Sequence, residues 1–339
     1  MSDRPLARLR ISPLDSAGCN AKLRARDLLT LLSSGGSAIG SLARDSFPTS
    51  RSKDILFTID TILPVTTNPE HFGHIAVLHA INDLHAEGAH AEDVCISYGF
   101  DTTTVEDGCA KQIVAGAEAA VRATKGSLSK AHSFLSSDIS ISVSAIGARK
   151  PGRKSCLNDK DYAVVLTKPL GGAMGCFVGE IHEDAALVEA SEKLMLQGHH
   201  SILELLRDHC IDGTTDVTGF GLVGHLACLA VRESLRIEID QSSIPILAGL
   251  SRISNSSALR NCSAVRNRED FQQHWERENK AQELTDIVMF SGETSGPIAC
   301  LVEASKEEKM LQDLIAKGFS AATHIATATS ADIGRIIIR

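Results

Sequence analysis

Thr215-Asp216-Val217-Thr218-Gly219-Phe220-Gly221-Leu222-Val223-Gly224-His225 sets an acidic residue just ahead of three glycines and an apolar run, Leu226 to Val231. Glycines lack Cβ and let backbone N–H groups approach a ligand closely. The apolar run predicts a helix over 222–231, and a helix N-terminus attracts phosphate oxygens. Asp216 could hold a metal ion that neutralises those oxygens. On spacing alone, a tight turn with a solvated aspartate reads equally well, because a lone glycine-rich turn is weak evidence of a site.

Outward from this stretch, strands and helices alternate. Upstream lie predicted strands at 55–59, 94–98, 139–146 and 162–167, and helices from Asn68-Pro69 to Gly88, at 104–124 and at 184–208. Asn caps a helix well and Pro suits its first turn. Downstream lie strands at 237–239, 298–302 and 336–339, an exposed charged stretch at 264–283 and a helix at 305–317. This alternation predicts α/β or α+β sheets with helical cover. The basic segment Lys150-Pro151-Gly152-Arg153-Lys154 marks the expected boundary between two αβ halves, 33–154 and 155–339. Residues 1–32 are expected to form a mobile N-terminal arm ending in a first helix.

The 339 residues are 43% hydrophobic and 22% charged, enough apolar material for two cores. A net charge of −8 speaks against unspecific nucleic-acid binding. There is no apolar run long enough to cross a membrane and no signal-peptide pattern, so a soluble cytoplasmic protein is expected. Nine cysteines without a CxxC pair suggest reduced thiols rather than a zinc knuckle. His71 and His74 form an HxxH pair, read as a solvated or core feature.

Some residues carry chemistry of their own. Cys19 stands three residues before Lys22, and an ammonium near a thiol favours the thiolate. Asp60 ends the 55–59 strand, where α/β folds often open a crevice. Asp83 lies inside a helical pattern, where a buried carboxylate needs a partner.

Several motifs then coincide in one order: Cys19-x-x-Lys22, Thr58-Ile59-Asp60 with Pro64, Gly73 before Ile75-Ala76, Asn82-Asp83, Leu166-Thr167-Lys168-Pro169-Leu170-Gly171, the opening stretch, and Glu293-Thr294-Ser295-Gly296. As an ordered set across nearly the whole chain they resemble selenophosphate synthetase, within the aminoimidazole ribonucleotide synthetase-like superfamily. The resemblance implies two αβ domains, the N-terminal one dimerising through its sheet. It implies that ATP, selenide and water become selenophosphate, AMP and phosphate, with Mg2+ and, as a further cation, K+. Carried over by position, Cys19 and Lys22 are the catalytic pair. Lys22, Asp60, Asp83, His132, Ser133, Thr218 and Gly219 bind the nucleotide, and Asp45, Asp60, Asp83 and Asp216 hold metal. The resemblance implies a homodimer with small-molecule substrates and no nucleic-acid or membrane partner. The chain departs from the family at Lys130-Ala131-His132-Ser133, where two glycines are replaced, and at Arg44-Asp45-Ser46. The shared fold leaves open another ATP-dependent small-molecule phosphotransferase, or an inactive nucleotide-binding regulator.

Overall fold

The computed structural model describes residues 22, 24, 25, 27, 46–49, 52–106, 108–149, 157, 160–209, 211, 213–253 and 263–339. Two sheets carry the fold. The first runs β1 (Phe47–Thr49), β2 (Ser52–Ile62), β5 (Ser140–Arg149), β3 (Ala89–Phe100) and β4 (Ser127–Leu135) in spatial order. All its pairings are antiparallel except β3 with β4. The second runs β7 (Thr214–Asp216), β10 (Ile298–Glu303), β6 (Tyr162–Leu166), β11 (Thr323–Ser330), β8 (Leu235–Ile239), β12 (Arg335–Ile338) and β9 (Trp275–Arg277). The expected boundary at 150–154 falls outside the described residues.

Side-chain alternation decides which face of the first sheet is covered. On β2, Leu56, Thr58 and Ile62 are buried, and Asp60 shares their side of the strand. That side packs on helix α1 (Pro69–Ala86). The other side shows Ile55, Phe57, Ile59 and, on the neighbouring β5, Ile146, between 39% and 66% exposed. Helix α1 starts as its sequence predicts: the Asn68 side chain accepts the His71 N–H, and Pro69 takes the first position. It ends at Ala86, with Gly88 in the left-handed region just beyond (φ 73°).

Helix α1 packs on a second helix with almost no room between their backbones. A Cβ on Gly73 would lie 1.9 Å from the Ile113 carbonyl oxygen, and one on Gly116 would lie 1.9 Å from that of Glu70. The two glycines therefore let the helices meet backbone to backbone. Gly73→Ala is expected to cost about 3 kcal/mol of stability through overpacking. Urea unfolding measures it, and a loss under about 1 kcal/mol would show that the helices can part cheaply.

Two predicted helices are divided in the structure, and one strand stands where none was expected. The helix expected over 104–124 is two, α2 (Thr102–Glu106) and α3 (Cys109–Ala123), because Gly108 takes φ 82° between them. The helix expected over 184–208 is divided into α5 (Ala185–Met195) and α6 (Leu203–Asp208), with a 3-10 turn at His200–Ile202. Gly198 falls in this break, packed against Leu78 of α1. The segment 127–135 is a strand without apolar alternation. It is the exposed edge of its sheet, so pairing with β3 and not core burial makes it a strand. Helix α4 (Gly172–Ile181) precedes α5, and α7 (Gly221–Glu233) follows the opening stretch. Helices α8 (Ala264–Asp270), α9 (Glu283–Phe290) and α10 (Glu307–Ala316) complete the second half among the described residues.

Candidate active site

Asp60 and Asp83 come together under the first sheet. The Thr58 hydroxyl donates to Asp83 Oδ2 and steadies it. Asp83 in turn hydrogen-bonds with Asp60. Lys22 Nζ stands 3.5 Å from Asp60 Oδ1, and His79 Nε2 stands 3.8 Å from Asp60 Oδ2. Burial pushes the Asp60 carboxyl up. The Lys22 ammonium, His79 and Asp83 pull it down and prevail, so it lies below the ordinary carboxylate range. Lys22 is the joint between the halves: its Nζ is also 6.0 Å from the centre of the Phe220 ring.

Arg24 and Ala25 are pinned close by. Arg24 donates to Asp270 Oδ1 at 2.9 Å and Glu269 Oε2 at 2.7 Å, and the Ala25 N–H donates to Asp270 Oδ2 at 2.9 Å. Helix α8 thus holds the backbone that presents Lys22. Cys19 and Asp45 lie outside the described residues.

Across the seam, the opening stretch is built as its glycines require. Gly221 takes φ 70° and begins α7. A Cβ there would meet the Phe290 backbone at 2.8 Å. Asp216 ends β7 and is only 1% exposed. Strand β7 packs against α1, the helix of Asp83, and Thr214 Oγ1 donates to the Ala86 carbonyl. Thr218 and Gly219 serve the interior. Thr218 O accepts from the N–H groups of Gly221 and Glu293, and Gly219 O accepts from Asn267 Nδ2. His225 has Thr215 Oγ1 3.3 Å from Nδ1 and Thr218 Oγ1 3.1 Å from Nε2. Burial, Lys22 and His79 together push His225 down to about 3, so its ring is neutral at pH 7.

Residues that sequence reasoning left without a role complete the seam. Lys168 is buried, and its Nζ donates to the carbonyls of Leu194 (3.1 Å), Gln197 (3.0 Å) and Ser295 (2.7 Å). Burial pushes its ammonium down to about 7, against the pull of Glu293. Glu293 accepts from the N–H groups of Gly171 and Gly172 at the start of α4, and burial pushes its carboxyl up to about 7. Asn82 Oδ1 can only accept, so His199 Nδ1–H donates to it at 3.1 Å. That leaves Nε2 to accept the Thr167 hydroxyl at 2.9 Å, while Thr167 Oγ1 accepts the Ile298 N–H. The motif positions 82, 167, 168 and 293 therefore share one interdomain network. His79 and His199 carry no motif of their own, and only spatial packing reveals them. His71, of the HxxH pair, meets Glu192 Oε2 at 2.9 Å and ties α1 to α5.

Not every expected site residue joins this group. His132 and Ser133 are exposed on edge strand β4, where His132 pairs with Ser97. Three strand steps separate β4 from β2 in the sheet, about 14 Å at ordinary strand spacing. Among the described residues no three His, Cys, Asp or Glu side chains converge as a metal nest, and Asp216 does not join Asp60 and Asp83 in one. Mg2+ commonly takes one or two carboxylates and fills its other positions with phosphate and water. Asp60 and Asp83 fit that demand: they are adjacent hard oxygen donors, and Asp60 is held in its charged form by its neighbours.

Residues 45–148 match the AIR synthase related protein N-terminal domain, and residues 161–339 match its C-terminal domain. A selenide, water dikinase of Agathobacter rectalis is 27% identical over 275 residues, 79% of this chain and 78% of that protein. One from Pseudomonas straminea is 28% identical over 278 residues, 80% of this chain and 76% of that protein. Among solved structures, thiamine monophosphate kinase of Aquifex aeolicus superposes with a TM-score of 0.64 at 18% identity, over 93% of this chain and 94% of that one. The hydrogenase maturation protein HypE of E. coli does so with 0.63 at 16%, over 84% and 81%. These two likenesses establish the fold.

Proposed function

The chain belongs to the AIR synthase related family through both of its halves, and on that footing we propose that it is a selenide, water dikinase. It converts ATP, selenide and water into selenophosphate, AMP and phosphate. The observation that supports this reading most directly is the Lys22–Asp60 pair at 3.5 Å, set between the domains beside Phe220. Phosphoryl transfer is mostly positioning and charge stabilisation, and a cation and two carboxylates at an interdomain seam supply both.

Asp60 and Asp83 would hold Mg2+, with Asp216 contributing from the second half and Asp45 from upstream. When bound, that ion masks phosphate charge. Lys22 would contact the phosphates and help exclude water until selenide arrives. Cys19 would deliver or orient selenium, a soft element that suits a thiolate. Thr218 and Gly219 would contact nucleotide through the turn they shape. His132 and Ser133 remain part of the proposed nucleotide contacts from the sheet edge, and K+ a further cation.

The face of the first sheet that stays exposed among the described residues supports a homodimer. Phe57 and Ile146 are cross-strand partners on it, flanked by Ile55 and Ile59. An apolar patch of this kind on a sheet is commonly an interface. Among the described residues no helix is long and apolar enough to cross a membrane, and we assign the protein to the cytoplasm, with small-molecule substrates.

The test is AMP formation from Mg-ATP with and without selenide. Selenide should raise the rate at least tenfold, and Cys19→Ser should remove that stimulation. Equal rates with and without selenide would reject the assignment in favour of another phosphotransferase.

A further inference from the structure

Ser295 stands in the left-handed region, φ 47°, a conformation that a side chain makes costly. Both polar groups of its backbone are held from outside its loop. Its carbonyl takes Lys168 Nζ at 2.7 Å, and its N–H donates to His79 Nδ1 at 3.0 Å. His79 sits on α1, in the other half of the molecule, and is 1% exposed. A ring nitrogen that accepts a hydrogen bond carries no proton. The Ser295 amide therefore fixes the tautomer: the His79 proton is on Nε2, the nitrogen that faces Asp60 Oδ2 at 3.8 Å. That separation is longer than a made hydrogen bond, and such contacts in unliganded sites often tighten on loading.

We propose that His79 is a positioning residue, which anchors Asp60 of the first half to the Ser295 loop of the second through a neutral imidazole. The anchor holds Oδ2 from one side while Lys22 faces Oδ1 from the other. It also gives the lysine of Leu166-Thr167-Lys168-Pro169-Leu170-Gly171 a task at a distance: Lys168 steadies the strained peptide that orients the ring. A metal ligand is commonly oriented by a neighbouring donor in this manner. The inference rests on the metal-holding role of Asp60 proposed above.

The test compares three variants by calorimetric binding of Mg2+ with AMPPCP, a nucleotide that is not turned over by the usual cleavage, and by steady-state rates. His79→Ala should weaken Mg-AMPPCP binding about tenfold. His79→Gln should restore most of it, because one amide can accept from Ser295 and donate to Asp60. His79→Leu fills the volume without either bond and should bind as poorly as the alanine variant. In rate measurements, His79→Gln should keep most of the parent's rate and His79→Leu should not. If leucine restores binding as well as glutamine, or glutamine binds no better than alanine, the proposal is overturned. Thermal unfolding run beside these separates folding loss from binding loss. The binding assay needs no selenide, so this result stands apart from the selenide test of the reaction itself.

Discussion

Asp60→Asn is expected to lower Mg2+-dependent ATP turnover by about a thousandfold while leaving the fold intact. The change keeps shape and removes one negative charge from the Asp60–Asp83 pair. Metal-borne charge stabilisation of a phosphoryl group is worth several kcal/mol, and about 4 kcal/mol corresponds to three decades of rate. The groups that face this side chain, Lys22, His79 and Asp83, are polar. Their packing therefore survives the substitution. Because Lys22 touches Asp60, its loss should not add independently: Lys22→Ala with Asp60→Asn should cost less than the product of the two singles. A rate within tenfold of the parent for Asp60→Asn would remove that carboxylate from the metal and phosphate machinery.

In the absence of divalent metal, the folded protein is expected to lose stability steeply as pH falls from 6.5 towards 4. Burial holds His85 and His225 down to about 3 and His79 to about 4, and it holds His199 well below its ordinary value. In this window the unfolded chain carries a proton on each of the four rings and the folded chain carries none. The unfolded state binds more protons, so stability rises with pH and falls with acid. Glu293 acts the other way, because its raised carboxyl keeps a proton in the folded state up to about 7. Four protons against one leave about three, or about 4 kcal/mol per pH unit near pH 5. A typical stability of about 5–15 kcal/mol would be exhausted within a few pH units. Far-UV circular dichroism together with the fluorescence of Trp275, the chain's one tryptophan, follows the transition. A melting temperature unchanged between pH 7 and pH 5 would contradict the account.

His85 offers a sharper version of the same measurement. Both its ring nitrogens are buried without a hydrogen-bond partner, and its ring stands 5.9 Å from that of His200. Replacing such a group with an apolar one removes a desolvation cost. His85→Leu should therefore raise stability at pH 5 and flatten the acid limb by about one proton.

Local chemistry makes much of the molecule legible in its sequence. Asn68 and Pro69 announced the start of α1, Gly88 its end, and apolar alternation announced β5. Glycines 219, 221 and 224 announced a tight entry into α7. Each of these rests on forces acting within a few residues. The edge strand 127–135 carried no such signal, because its partner β3 supplies the bonds that make it extended. Gly108 could be read as a small residue inside a helix or as a break, and only its left-handed conformation decided between them.

The same division holds for the site. Sequence alone singled out the candidate carboxylates, lysine and glycine-rich turn, because charge and conformational freedom are properties of single residues. The tertiary structure decided who stands beside whom: Lys22 against Asp60, Lys168 beneath Ser295, and His79 between the two halves, with His132 left on a distant sheet edge. Such neighbours are separated by tens to hundreds of positions along the chain. What brings them together is the burial of two sheets and their helices against one another, a free energy summed over the whole core, which no short stretch of sequence contains.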